Sequence, residues 1–235
     1  MSSDFDFSTY LFLSKNKIII SVYKENDFEK VYEKELIINE QFNHINYQEL
    51  DKFLNENIFR IEKILDNFVK KITIIFDIDE FFFVELSIKK KDSDNLINLK
   101  SLNYLLYEAK ENCKKTIDDK RIIHLIIRNY KIDSQNYESL PKDTSYKSFS
   151  VDLEFICLSN EIIKKLERIL NKYEISLDQI VNASYVSEFL TNEENDNIFL
   201  MTKKILRGYN SNEVSLVNKS TKNQGFFEKF FNFFN

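Results

Sequence analysis

Glycine is almost absent from this chain, and its scarcity limits the loops that the backbone can form. The first 207 residues contain no glycine, and the two glycines are Gly208 and Gly225. Loops that wrap phosphate groups use glycine where φ must be positive or where the ligand approaches the main chain closely. Asn or Asp replaces it only at isolated left-handed positions. The sequence therefore disfavours a nucleotide site built from such loops, and we expect no cofactor.

The composition is that of a soluble globular protein with one large domain or two small ones. The chain has 235 residues, of which 43% are hydrophobic and 30% are charged. Its formal net charge of -5 argues against nucleic-acid binding, which normally relies on positive charge. Cys113 and Cys157 lie in apolar patterns without ligand spacing, so we predict buried thiols of a reducing compartment. No signal peptide is evident, and the apolar runs are far shorter than the about 20 residues that span a bilayer.

Periodic apolar residues predict an α+β fold whose first part is a sheet with one long helix. β-branched and aromatic runs between polar breaks indicate strands, and apolar residues at spacings of three and four indicate an amphipathic helix. We place the boundary to a second unit in the polar segment 89–98, which has few apolar side chains to bury. In the first part we predict strands at 10–13, 17–23, 30–38, 71–76 and 81–88 and a helix at 47–70.

The second unit is predicted to run helix, strand, strand, helix. Its elements are helices at 99–115 and 162–173, a mostly apolar strand at 121–132 and a strictly alternating strand at 148–157. Residues 178–183 stay open between strand and helix, because Ser176 and Gln179 spell a capping box while the same segment also suits a strand. A helix is predicted at 198–206, and residues 208–224, rich in Ser, Asn and Lys, are predicted to form a flexible linker.

Few residues are candidates for chemistry. His44 lies in a polar loop and His124 inside an apolar strand, so they form no pair and structural roles are favoured. Asp77 and Asp79 lie between two strands and can in principle bind a metal, but no third ligand is spaced nearby and acidic residues are common in such turns. Walker, dinucleotide-binding, nucleophile-elbow and zinc motifs are absent. We therefore predict no metal site, no catalytic residues and no enzymatic activity.

The last eleven residues, 225–235, form the most distinctive segment of the chain. At about 100° per residue, its six phenylalanines fall within an arc of roughly 160°, with polar residues on the other side. An amphipathic helix after a flexible linker suits insertion into the lipid headgroup boundary. The predicted membrane-binding residues are Phe226, Phe227, Phe230, Phe231, Phe233, Phe234 and Lys229.

A helix of this kind can also pack into a hydrophobic groove of its own domain or of a neighbouring subunit. Insertion into lipid and packing on protein would both bury the phenylalanine side of the predicted helix. Burial of six phenylalanines and ordering of eleven residues involve free energies of similar magnitude, and Lys219, Lys222 and Lys229 add little attraction to anionic lipid. One tail therefore binds weakly, and stable attachment calls for several tails in a homo-oligomer.

The order of segments resembles one family, the actin-like bacterial cell division protein FtsA. The stretch DKRIIHLIIRNYKID, 119–133, resembles the strand that opens the inserted domain of that family, and NLKSLNYLLYEAKENCKKT resembles the helix before it. Residues 150–190 resemble the strand, helix, strand and return helix that follow. The terminal GFFEKFFNFFN is similar to the family's membrane-targeting helix, and residues 10–88 are similar in element order to its first actin-like subdomain.

The chain also departs from this family. Where the family has an Asp-Gly phosphate hairpin, this chain reads LFLSKNKI, and the second phosphate loop and the subdomains after residue 190 are missing. The missing parts include the lobe that in the family contacts the tubulin-like protein FtsZ, so a direct FtsZ contact is not implied. The tail lacks the basic face usual in the family.

Taken with the tail, the resemblance implies a non-enzymatic adaptor that tethers or recruits division proteins at the inner face of the cytoplasmic membrane. The alternative is a membrane-surface scaffold of a pilus or secretion type assembly. A third class, a nucleotide hydrolase with an unusual site, predicts measurable ATP binding. The implied domains are a first actin-like subdomain remnant at 1–92 and about 184–207, an inserted α+β domain at 93–183, the linker at 208–224 and the helix at 225–235.

Overall fold

The computed structural model describes residues 7–38, 45–96, 99–141, 145–191 and 197–214. These residues form two β-sheets and five helices, which confirms an α+β fold with a mixed sheet. Along the chain the elements are β1 (Phe7–Ser14), β2 (Lys17–Lys24), β3 (Lys30–Ile37), α1 (Tyr47–Leu65), β4 (Lys71–Asp77), β5 (Phe82–Leu96), α2 (Leu99–Thr116), β6 (Lys120–Ile132), β7 (Gln135–Tyr137), β8 (Ser145–Ser159), α3 (Asn160–Asn171), β9 (Ser176–Asn182), α4 (Ala183–Ser187) and α5 (Ile198–Leu206).

The first sheet has five strands in the order β3-β2-β1-β4-β9. Strands β1, β2 and β3 form an antiparallel meander, whereas β4 and β9 run parallel to β1. The central strands β1 and β4 are almost continuous buried runs because both faces of the sheet are covered. Helices α1 and α3 contribute apolar residues to one core. Helices α4 and α5 contribute Tyr185 and Met201 to the same core, and Ala183 and Phe199 to another.

Helix α1 begins where the sequence predicts and ends earlier. The Asn46 side chain accepts hydrogen bonds from the N–H groups of the first turn, and Asp66, in the left-handed conformation, ends the helix after Leu65. The periodicity of the sequence extended the helix to residue 70. Ile64 and Phe68, which that periodicity placed on the buried stripe, are exposed.

The second sheet is antiparallel, in the order β5-β8-β6-β7, and helix α2 covers one of its faces. The predicted alternation along β8 is confirmed, since every second residue from Phe149 to Cys157 is buried in the same cluster as Leu105 and Ala109 of α2. The second sheet also joins the first, because Ile126, Ile156 and Leu158 belong to the core of the first sheet. The two sheets therefore share apolar packing.

The predicted division into domains stays a prediction. Three segments, however, have a different structure or a different neighbour from the one that the sequence indicated. The predicted boundary at 89–98 overlaps β5, which continues along β8 because backbone pairing with a long partner strand outweighs the polarity of its side chains. Residues 176–182 form β9 beside β4 in the first sheet, which settles the open choice in favour of a strand up to Asn182. Residues 208–214, predicted as flexible linker, make specific hydrogen bonds to β6.

Positive φ values occur at residues other than glycine, as the composition requires. They are found at Phe28, Asp66, Asp119, Asp133, Ser134 and Glu174. Four of these six residues are Asp or Ser, whose short polar side chains tolerate the left-handed region better than most. Glu174 lacks this advantage and lies exposed in the turn between α3 and β9 with φ of 60°.

We expect Glu174→Gly to raise the free energy of unfolding by about 0.5–1 kcal/mol, because glycine adopts a positive φ without steric cost. Urea denaturation followed by circular dichroism measures the change. Glu174→Ala is the matched control, since alanine also loses the side chain but keeps the Cβ, and it should give no gain. Equal stabilisation by both substitutions would contradict the explanation.

Candidate functional site: a buried polar junction and an open sheet edge

The turn between β1 and β2 occupies the position where the sequence departs from a phosphate hairpin. The Ser14 hydroxyl donates to Asn16 Oδ1 at 2.8 Å and accepts from the Lys17 N–H at 3.1 Å. Lys15 forms an ion pair with Asp79, which lies in the turn after β4. The side chains at this turn therefore bind one another, and the interpretation of Asp79 as a turn residue agrees with the structure.

His124 lies at the centre of a buried polar junction. The residue is 3% exposed, and its Nε2 accepts a hydrogen bond from the Asn182 N–H at 3.1 Å. Because Nε2 is the acceptor, the proton of the neutral ring lies on Nδ1, which contacts Glu213 Oε1 at 2.7 Å. One imidazole thus connects β6, the end of β9 and the segment after α5.

Tyr185 completes the junction from α4. Its hydroxyl donates to Glu213 Oε2 at 2.8 Å and accepts from Asn210 Nδ2 at 2.9 Å. Burial raises the pKa of Tyr185, and the negative charge of Glu213 raises it further against the opposing hydrogen bond from Asn210. Both carboxylate oxygens of Glu213 are therefore engaged by neighbours, so the group is held as an acceptor between two elements.

The segment that carries Glu213 is fixed to β6 by its backbone. The Val214 N–H donates to the Leu125 carbonyl and the Ile127 N–H donates to the Asn212 carbonyl, each at 2.8 Å, around an antiparallel bridge between Ile126 and Glu213. The sequence did not reveal Glu213, because it lies 89 residues from His124 in a stretch rich in polar residues. His124 itself was predicted to be structural, and its contacts agree with that role.

A charged network covers part of the second-sheet face opposite α2. Arg128 of β6 binds Glu188 through two hydrogen bonds of 2.7 and 2.9 Å and also binds Glu154 of β8. Burial alone would raise the pKa of Asp152, but hydrogen bonds from Lys131, Ser87 and Asn129 hold this pKa below its usual value. This face is polar and partly open to solvent.

The edge of the second sheet is apolar at one end. Strand β5 is the terminal strand of the sheet, and its first two residues, Phe82 and Phe83, are 44% and 51% exposed. Two further aromatic residues, Tyr104 and Tyr107, are exposed on α2. An exposed sheet edge beside aromatic side chains is a surface that another chain can bind.

The predicted membrane-binding residues in 225–235 lie outside the described part of the chain, as does His44. None of the helices between residues 7 and 214 that the structure describes combines the length and the apolar character that a membrane crossing requires. Within the same residues, no three His, Cys, Asp or Glu side chains come together as a metal site. The two cysteines are buried, and burial raises the pKa of Cys157 to about 12.

Comparison with known proteins gives distant structural similarity to three solved structures. No known protein family and no curated protein matches the sequence. Similar solved structures include the cytoplasmic domain of EpsL, an inner membrane component of the type II secretion system of Vibrio cholerae, with 9% identity and a TM-score of 0.41 over 80% of this chain and 61% of that one. The PilM-PilN type IV pilus biogenesis complex is 7% identical with a TM-score of 0.47, over 77% of this chain and 49% of that one.

A Bacteroides thetaiotaomicron protein of unknown function with an actin-like ATPase fold is 14% identical with a TM-score of 0.32, over 78% of this chain and 55% of that one. The chain thus spans between 49% and 61% of the length of these structures. The FtsA resemblance drawn from the sequence stays a hypothesis.

Proposed function

We propose that this chain is a non-enzymatic scaffold protein that works at a membrane surface as part of a pilus or secretion type assembly. The observation that carries the proposal is the presence of six phenylalanines in residues 225–235, at spacings that a helix would place on one side. Only ten residues separate this segment from Val214, which is bound to β6. A tail attached so closely to a folded body would hold that body near the surface that the tail binds.

The folded part supports a scaffold role through the surfaces that it leaves open. The second sheet ends in the exposed strand β5, and its charged face carries Arg128, Lys131 and Asp152 with their partners. We take the class of assembly from the secretion and pilus proteins named above, whose similarity extends to the fold only. Contacts with the partners of such an assembly would use these surfaces, with several copies of the chain sharing the attachment.

The second candidate is a cell division adaptor similar to FtsA on the cytoplasmic membrane. The order of segments from 99 to 190, which resembles the inserted domain of that family, favours it. A fluorescent fusion expressed in the native cell separates the two candidates. Foci at the poles or at pilus sites support the assembly scaffold, whereas a band at mid-cell supports the division adaptor.

Membrane attachment is tested by flotation with vesicles of phosphatidylethanolamine and phosphatidylglycerol. We expect the intact protein to float and the variant Phe230→Glu, Phe231→Glu to remain at the bottom of the gradient, because charge on the apolar face opposes insertion. The matched control is Asn232→Glu, Asn235→Glu, which adds the same charge to the polar side and should float.

Two outcomes would overturn the membrane proposal. Equal flotation of the Phe230→Glu, Phe231→Glu variant would show that the phenylalanines do not mediate attachment. An intact protein that never floats would indicate instead that the terminal residues pack on protein.

A further inference from the structure

Strand β5 presents an unpaired backbone edge. It is the outermost strand of the order β5-β8-β6-β7, and β8 pairs with it on one side from Phe82 to Leu96. Across the residues that the structure describes, no strand pairs with its other side. An exposed edge offers a row of N–H and C=O groups to another strand, and natural edges are usually short, covered or protected by charge. β5 is 15 residues long.

The side chains of β5 separate into two rows. Val84, Leu86 and Ile88 pack toward α2 as part of the second-sheet core, whereas Glu85, Ser87 and Lys89 are exposed. Within the described chain, neither Glu85 nor Lys89 forms an ion pair. The exposed row therefore carries two opposite charges that are four residues apart with a small residue midway between them.

The geometry points to a second copy of this chain as the occupant of the β5 edge, paired antiparallel about a two-fold axis at Ser87. This inference deepens the proposed scaffold role by naming the contact between copies. A two-fold axis perpendicular to the sheet keeps each side chain on its own face, so a residue meets one an even number of positions away. Centred on Ser87, the pairing places Glu85 opposite Lys89 twice and Leu86 opposite Ile88 twice.

Neighbouring registers lack this complementarity. A two-fold axis at Leu86 places Glu85 opposite Ser87, and an axis at Ile88 places Leu86 opposite Lys90. Centring on Glu85 or Lys89 places like charges directly opposite each other, which is destabilising. Among these centres, Ser87 is the one that pairs both Glu85 with Lys89 and Leu86 with Ile88, and the next residue outward, Val84, then lies opposite Lys90.

Strand β3, one of the two edge strands of the first sheet, does not offer the same match. A two-fold axis at Glu33 or Glu35 places that glutamate opposite itself, and an axis at Lys34 places Lys34 opposite itself and Glu33 opposite Glu35. An axis at Tyr32 places Lys30 opposite Lys34. Charge therefore opposes self-pairing of β3 in these four registers, while it favours the Ser87-centred pairing of β5.

The test is a charge exchange in the full-length chain, followed by sedimentation equilibrium. We expect a dimer whose dissociation constant rises about tenfold in Glu85→Lys and in Lys89→Glu, because each change places like charges opposite at two symmetric positions. The double variant Glu85→Lys, Lys89→Glu should restore the dimer. A monomeric parent protein, unchanged single variants or a double variant that stays weak would each overturn the proposed pairing.

Disulfide trapping tests the register independently. Directly opposed residues of antiparallel strands lie about 4.5–5.5 Å apart at Cα, which is within disulfide reach. Ser87→Cys should therefore form a covalent dimer on mild oxidation, while Glu85→Cys, which faces Lys89, should not. Cys113 and Cys157 are buried and do not compete. Absence of the Ser87→Cys dimer, or equal trapping of both variants, would contradict the Ser87 axis.

The same measurements in the Phe230→Glu, Phe231→Glu background separate this inference from membrane attachment. A dimer that persists without flotation supports the β5 contact even where the attachment fails. A dimer that disappears with the phenylalanines would place the contact in residues 225–235 and overturn the β5 pairing.

Discussion

Replacing Phe149 with alanine is expected to lower the free energy of unfolding by about 3–5 kcal/mol. The Phe149 side chain is completely buried between the second sheet and α2, where it contacts Tyr146 at a ring separation of 5.7 Å. Its removal loses the transfer free energy of the ring and leaves a cavity, because the neighbouring strands are held by backbone pairing on both sides of β8 and relax only in part. A change of this size is a large fraction of the stability of an ordinary domain.

Urea denaturation measures this loss, with far-UV circular dichroism and tyrosine fluorescence as two probes. The chain has 12 tyrosines and no tryptophan, so the fluorescence reports the tyrosines alone. Phe83→Ala is the matched control, since it makes the same change at an exposed position of the adjacent strand, and it should cost less than about 0.5 kcal/mol. Similar losses for Phe149 and Phe83 would contradict the packing described for the second sheet.

Replacing Glu213 with alanine is expected to lower the free energy of unfolding by about 2–4 kcal/mol. The substitution leaves two donors without an acceptor, the His124 Nδ1–H and the Tyr185 hydroxyl. An unsatisfied buried donor costs roughly 1–3 kcal/mol, and both of these donors are almost completely buried. The loss also weakens the attachment of residues 210–214 to β6.

The matched control for this experiment is Glu213→Gln. The amide keeps the size of the side chain and one acceptor oxygen, so it can satisfy one of the two donors and should lose about half as much stability. Hydrogen exchange of the Ile127 and Val214 amides adds a local measurement, because both should exchange faster in Glu213→Ala. Unchanged stability and unchanged exchange would show that the junction does not hold the segment in place.

The sequence predicted those helices and strands in which apolar residues recur at a regular spacing without interruption. Strand β8 was visible because Phe149, Val151 and Phe155 alternate with polar residues, and the structure buries all three. Helix α5 was also predicted, with the bounds at which it begins and ends. In these elements a single local pattern and the tertiary packing agree.

The errors arose where a strand partner distant in sequence, or the backbone conformation of a single residue, decides the outcome. Residues 89–91 are polar, yet they continue β5 because β8 lies alongside. The periodicity of α1 ran on through Phe68, but the left-handed conformation of Asp66 ends the helix and turns the chain toward β4. Neither the pairing of a strand nor a single left-handed residue leaves a periodic signal.

The polar junction shows the same limit at the level of a site. His124 was predicted to be a structural residue inside a strand, and its contacts agree with that role, while the predicted burial of Cys157 is confirmed. Glu213 was not found, because an acidic residue in a polar stretch carries no sign that a histidine and a tyrosine converge on it. Only the return of the chain to β6 after α5 brings these groups together.

The return of residues 212–214 to β6 has a mechanical consequence. Tension applied beyond Val214 acts first on the two backbone hydrogen bonds to Leu125 and Ile127. It then acts on the hydrogen bonds of Glu213 in the buried polar junction. The pull is therefore delivered into an inner strand of the second sheet instead of unravelling α5 from its last turn. Because His124 also accepts a hydrogen bond from the Asn182 N–H, part of such a load passes on to β9, and both sheets share it.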